Sequence, residues 1–111
     1  MPAASRLNDP CTGHGCFPPR NNIAASSDVI INGKGAHREG DGWESHCCGP
    51  KCHAGTTASG SPNVFVNGKA KARIGDPVDC GSAIAAGSNN VFINEEGGRA
   101  SAAIQKALSN I

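Results

Sequence analysis

The stretch Ser61-Pro62-Asn63-Val64-Phe65-Val66-Asn67-Gly68-Lys69 decides how this chain folds. Val64-Phe65-Val66 reads as a short strand, and Asn67-Gly68 is the dipeptide that most favours a type I′ hairpin turn. The unit is not alone. Ser-x-x-Val-x-x-Asn recurs at residues 26–32 and 88–94, so the chain carries it three times. Gly33 follows the first copy as Gly68 follows the second, whereas Glu95 follows the third and leaves its turn the least regular. Working outward from a repeated hairpin unit predicts an all-β fold built by repetition.

A second unit, Arg-x-(Asn/Gly)-Asp, occurs at Arg6–Asp9, Arg38–Asp41 and Arg73–Asp76. Pro10 and Pro77 follow two of the Asp residues and Gly42 the third, so each strand stops in a sharp turn. The repeated Arg and Asp read as turn-holding partners, not as a catalytic pair. The expected order is hairpin, loop, hairpin, loop, hairpin, with residues 1–9 supplying the first strand. Alternation puts Val29/Ile31, Val64/Val66 and Val91/Ile93 on one face, where they would fill a small central core. Ile30, Phe65 and Phe92 fall on the other face, either as a second core layer or as an exposed apolar ring where a partner docks. In the tail, Ile104, Ala107, Leu108 and Ile111 have helical spacing, consistent with one short amphipathic helix.

Composition narrows the classes. The chain has 111 residues, a net charge of +1, 15 glycines and 4% aromatics. That charge gives no electrostatic case for nucleic acid or an anionic membrane surface. So few large side chains leave a small core, and such domains rely on disulfides, metals or partners. The start shows no secretory signal and no run is long enough to span a membrane, so synthesis in a reducing cytoplasm is the expectation. Persistent disulfides are rare there, which favours a metal over any of the 15 pairings that six cysteines allow.

The spacing of the donors supports a metal. His14 lies five residues after Asp9, His46 five after Asp41, and Cys80 four after Asp76. Equivalent loops related by rotation would bring these three donors to one axis. The second loop is longer and carries His53, which can fold back as a fourth. His14, His46, His53 and Cys80 make a closed tetrahedral set suited to a structural zinc ion, one per chain. Cys11, Cys16, Cys47, Cys48 and Cys52 lie near enough to replace a ligand, to form a Cys₄ site from Cys11, Cys16, Cys48 and Cys52, or to oxidise to disulfides such as Cys11 with Cys16 if the protein leaves the cell. His37 matches Ala72 in another repeat and is read as a surface histidine away from the loops. Trp43 is read as a cover over the loop base.

These residues resemble the PAAR-repeat family. Pro2-Ala3-Ala4-Ser5-Arg6 is the Pro-Ala-Ala-Arg motif with one insertion, and it recurs as Gly35-Ala36-His37-Arg38 and Ala70-Lys71-Ala72-Arg73. The segments at residues 61–69 and 73–81 are typical of the family, and the likeness runs over residues 1–94, leaving 95–111 as a short tail. The resemblance implies a small conical β-fold of three hairpin repeats about a pseudo-threefold axis, with zinc near its apex held by three His and one Cys. It implies a structural tip on the trimeric VgrG-type spike of a type VI secretion system, or on a related contractile phage tail. One chain would cap one trimer, help puncture a target membrane by transient contact, couple effector proteins and be ejected with the spike. All-His variants of such tips favour iron. The reading is non-enzymatic; its rivals are an open zinc site on His14, His46 and His53, a zinc-stabilised nucleic-acid module, and a disulfide-rich secreted domain.

Overall fold

Positive φ angles at consecutive residues mark the hairpins: 54° and 79° at Asn32-Gly33, 55° and 79° at Asn67-Gly68. Asn and Gly tolerate this left-handed region, which matches the twist of a two-residue turn. In the computed structural model, which describes residues 1–93, these turns join β1 (Ile30–Ile31) to β2 (Lys34–Gly35) and β5 (Phe65–Val66) to β6 (Lys69–Ala70). Each is an antiparallel pair forming its own two-stranded sheet. The described residues are all-β and contain no helix; the short helix expected from Ile104, Ala107, Leu108 and Ile111 lies outside them.

The conserved geometry of the repeats begins with their first serine. Ser26, Ser61 and Ser88 are buried, and each hydroxyl accepts hydrogen bonds from the backbone N–H groups two and three residues on. That turn aims the following Val into its strand. The second unit closes the other end. Arg6, Arg38 and Arg73 each donate through Nε and Nη2 to the two oxygens of Asp9, Asp41 and Asp76, at 2.8–3.1 Å. The residue just before each Asp has positive φ: Asn8 at 73°, Gly40 at 87° and Gly75 at 92°. This explains why only Asn or Gly stands there.

Three features depart from the sequence-based expectation. The third copy of the unit is completed by the N-terminal segment: Ala3 pairs antiparallel with Phe92, Ala4 N–H donates to Val91 O and Ile93 N–H to Pro2 O, both at 2.9 Å. These bonds repeat those of Ala36 to Val29 and Lys71 to Val64, so the N-terminal segment does the work of the return strand. The second departure is the longest hairpin, β3 (Gly42–Cys48) with β4 (Lys51–Thr56), in what was expected to be an extended loop. Thirdly, the branched residues fill no central core. Of the six expected there only Val66 is buried, and Val29 is exposed.

The axis is occupied instead by backbone and one lysine. Ser5 N–H donates to Ala72 O, Ala72 N–H to His37 O and His37 N–H to Ser5 O, each at 3.1 Å, a closed three-membered ring. These residues hold equivalent positions in the three repeats, so the ring defines the pseudo-threefold axis. Lys71 Nζ donates to the same three carbonyls, at 2.7 Å to Ser5, 3.1 Å to His37 and 2.7 Å to Ala72. An ammonium has three donors, and here each finds an oxygen. The apolar cluster lies between this ring and the loops: Cys11, Trp43, Ala72, Val78 and Ile84, with Cys80 against it.

Candidate metal centre

Three loops deliver one face of side chains. The first turns back on itself, His14 and Phe17 exchanging N–H···O bonds of 3.0 and 2.8 Å. The second is the β3–β4 hairpin, in which His46 stands directly opposite His53. Cross-strand partners project to the same side, so both imidazoles share a face. The third is the turn at Cys80, pinned by Val78 N–H to Ser82 O at 2.8 Å and by the pairing of Pro77 with Ala83.

Donor atoms of His14, His46, His53 and Cys80 all lie within 4.8 Å of one another. Nε2 of His53 is 3.1 Å from Nε2 of His14 and 2.8 Å from Nε2 of His46, and Cys80 Sγ is 4.0 Å from His46 Nε2. A tetrahedral zinc ion with bonds of about 2.0–2.3 Å separates its donors by about 3.3–3.8 Å, so these spacings bracket the requirement. His46 Nδ1–H donates to Pro18 O at 2.7 Å, which leaves the Nε2 lone pair facing inward. Burial lowers the His14 and His53 pKa values, and mutual repulsion with His46 adds to it, favouring the neutral, coordinating form. Arg20 Nη2 donates to Cys80 Sγ at 3.4 Å, which fixes where the sulfur sits beside the histidines. The donor set therefore fits a borderline-soft metal ion such as zinc, which His14, His46, His53 and Cys80 could hold together.

Arg20 also ties the centre to the core. Its Nη1 reaches Cys11 Sγ at 3.1 Å, its Nε reaches Glu44 O at 2.8 Å, and its guanidinium lies 5.4 Å from the Trp43 ring centroid. Cys11 is buried and free; burial raises its pKa, but donors from Arg20 and Gly13 outweigh this and the net shift is downward. The other four cysteines are in disulfides, Cys16 with Cys48 and Cys47 with Cys52. The structure thus combines disulfides with a metal-capable cluster, where the cytoplasmic argument set one against the other. It also leaves no room for a Cys₄ site on Cys11, Cys16, Cys48 and Cys52, and Cys11 does not pair with Cys16.

His37 corrects another expectation: it is fully buried, not on the surface. Its Nδ1–H donates to Ala24 O at 2.8 Å, and its Nε2 meets Thr57 Oγ1 at 2.7 Å. Trp43 is buried as expected of a cover, with its indole N–H on the same hydroxyl at 2.9 Å. Ile30, Phe65 and Phe92 are 50–59% exposed, which rules out a second core layer. Sequence reasoning missed Lys71, Arg20 and Phe17. Only Lys71 carried a signal, as a long cation where the other repeats have Ala4 and Ala36.

The described residues thus form an all-β fold of three repeats about a pseudo-threefold axis, with a four-donor metal-capable cluster at its loops. Residues 13–86 and 53–106 match the PAAR motif family, and the chain belongs to that family. Two toxins of Pseudomonas aeruginosa are similar to it, NAD(P)(+) glycohydrolase toxin Tse6 and (p)ppApp synthetase toxin Tas1. Each is 38% identical over 77 residues, covering 64% of this chain and 18% of the relative. The chain therefore aligns with under a fifth of those toxins' length.

Proposed function

We propose that this chain is a spike-tip protein that caps the trimeric VgrG-type spike of a type VI secretion system. The observation that carries the reading is the ring of equivalent backbone bonds among Ser5, His37 and Ala72, which gives one chain the approximate threefold symmetry of a trimer's end. Ile30, Phe65 and Phe92 stand at matching positions in the three repeats and form the partner-facing apolar surface. In the loops, His14, His46, His53 and Cys80 hold one structural zinc, where segments too small for a packed core need another source of rigidity. The role is mechanical and not catalytic: sharpen the spike, survive impact at a membrane and couple effectors. The chain is made in the cytoplasm and ejected with the spike. A zinc enzyme draws no support from a donor set that is already complete.

The test is metal content and assembly together. Purified chain should carry one zinc, lost or reduced in Cys80→Ser and His46→Ala, and should co-elute with the spike at one chain per trimer. Zinc unaffected by both substitutions would sink the ligand set. Failure of the zinc-loaded chain to bind any trimeric spike would sink the capping role.

A further inference from the structure

The segment Cys16-Phe17-Pro18 lies over the histidine cluster, and each of its residues holds on by a different interaction. The Phe17 ring centroid is 4.7 Å from that of His14, 5.0 Å from His46 and 4.3 Å from His53. The Pro18 carbonyl accepts from His46 Nδ1. Cys16 is bonded to Cys48, 32 residues away. Cys48 lies two residues beyond His46 on β3, so it shares the face of that ligand, one step nearer the turn at Gly49. Cys16 likewise lies two residues beyond His14. This disulfide therefore joins the two loops that supply three of the four donors. Cys47 is on the opposite face and bonds to Cys52 within the same hairpin, joining nothing else.

We propose that Cys16-Phe17-Pro18 is a lid on the metal site and that the Cys16–Cys48 disulfide is its clasp. The proposal rests on the metal reading above. A chelated ion escapes by losing ligands one at a time, and escape is fast only if a freed ligand moves away before it rebinds. With the clasp closed, the His14 loop stays beside His46 and His53, and Phe17 keeps water and competing ligands off their rings. With it open, the first loop is held there only by non-covalent contacts. Cys16 is exposed and Cys48 half-buried, so both can be reached by a small-molecule disulfide. One protein thiolate attacks a sulfur of RSSR and expels RS⁻; the second attacks the mixed disulfide and expels the other. The two thiol protons end on two RSH, and the two electrons lost by the protein reduce RSSR. The clasp would thus close on passage from a reducing to an oxidising compartment.

The experiment loads the full chain with zinc and follows its transfer to a chromogenic chelator. Oxidised wild type is compared with wild type reduced by a non-chelating phosphine and with Cys16→Ser/Cys48→Ser. Release is expected to be about 10-fold faster from the reduced and doubly substituted forms, the scale of effects seen when groups supporting metal ligands are removed. Cys47→Ser/Cys52→Ser should release at the oxidised wild-type rate, and oxidised Phe17→Ala faster than that. Re-oxidation of the reduced wild type with RSSR should restore slow release, which separates the clasp from damage to the fold. Equal rates in oxidised wild type and Cys16→Ser/Cys48→Ser overturn the proposal, as does failure of re-oxidation to slow release. A chain that takes up no zinc in either redox state removes the metal reading and the lid with it. Fast release from a zinc-loaded, oxidised chain sinks the clasp alone.

Discussion

At the scale of single residues, two buried basic side chains tie the fold's stability to pH. Burial pushes His37 down to about 4 from 6.5, against the opposing pull of the Ala24 carbonyl and Asp41. The bond pattern fixes the neutral form: a carbonyl takes Nδ1–H, and the Thr57 hydroxyl, already accepting from Trp43, donates to Nε2. The unfolded chain therefore binds this proton first as pH falls. His37 stabilises the fold fully above about pH 6.5, and its contribution declines by about 1.4 kcal/mol per pH unit down to about pH 4. Urea unfolding at pH 7.5 and 5.0 should show a larger loss for wild type than for His37→Gln, which does not titrate; equal losses would contradict the assignment. Lys71 is the complementary case, lowered to about 8 by burial and held charged by its three carbonyls and by Asp76, Asp9 and Asp41. Lys71→Met should cost about 2 kcal/mol in urea unfolding, the scale of hydrogen bonds to a charged donor. The offset from each Asp made the clustering of His14, His46 and Cys80 legible, because turn geometry is local, and the length of the second loop added His53. Neither buried basic group was legible in this way, because a sequence position names a strand but not what packs over it.

At the scale of elements, the short hairpins were readable because their turns are written in two residues. Asn67 shows why they matter. Its φ of 55° is costly for most side chains, and its amide also joins repeats, accepting from Arg38 Nη1 at 3.0 Å and donating to Asp28 at 2.9 Å. Asn67→Ala should lower stability by about 1–2 kcal/mol, the cost of a left-handed L-residue; a thermal unfolding midpoint equal to wild type would show that the turn relaxes to another type. The β3–β4 hairpin was not readable. Gly49-Pro50 marks its turn, but Gly-Trp-Glu-Ser-His-Cys-Cys lacks the alternation that announces a strand. Its register shifts between Trp43 and His46, letting the buried tryptophan and the metal-facing histidine each find their side. The packing of Trp43 and the cross-strand histidines made this a strand, and neither is a local property.

At the scale of the whole molecule, repetition was legible and its closure was not, since nothing local says that residues 2–4 complete a unit almost ninety residues later. The same scale decides the proposed partner surface. Ile30, Phe65 and Phe92 contribute little to the chain's own stability because they are largely exposed. Phe65→Asp should therefore leave the free energy of urea unfolding within about 0.5 kcal/mol of wild type, the range of exposed substitutions. Its retention on the trimeric spike, read by co-elution, should be lost. Full retention would send the capping surface elsewhere.

Lys71 has a consequence for why the three repeats share one chain. The axis has space for a single ammonium, and only one repeat supplies it; the others place alanine there. Three identical subunits would have to bring three such cations to one point or none at all. The metal-capable cluster has the same arithmetic, four donors drawn from three loops, with His53 as the odd one. A covalently linked trio can be lopsided where its centre demands it while its rim stays even. Covalent linkage of the repeats is thus the condition that lets an odd occupant sit on a threefold axis.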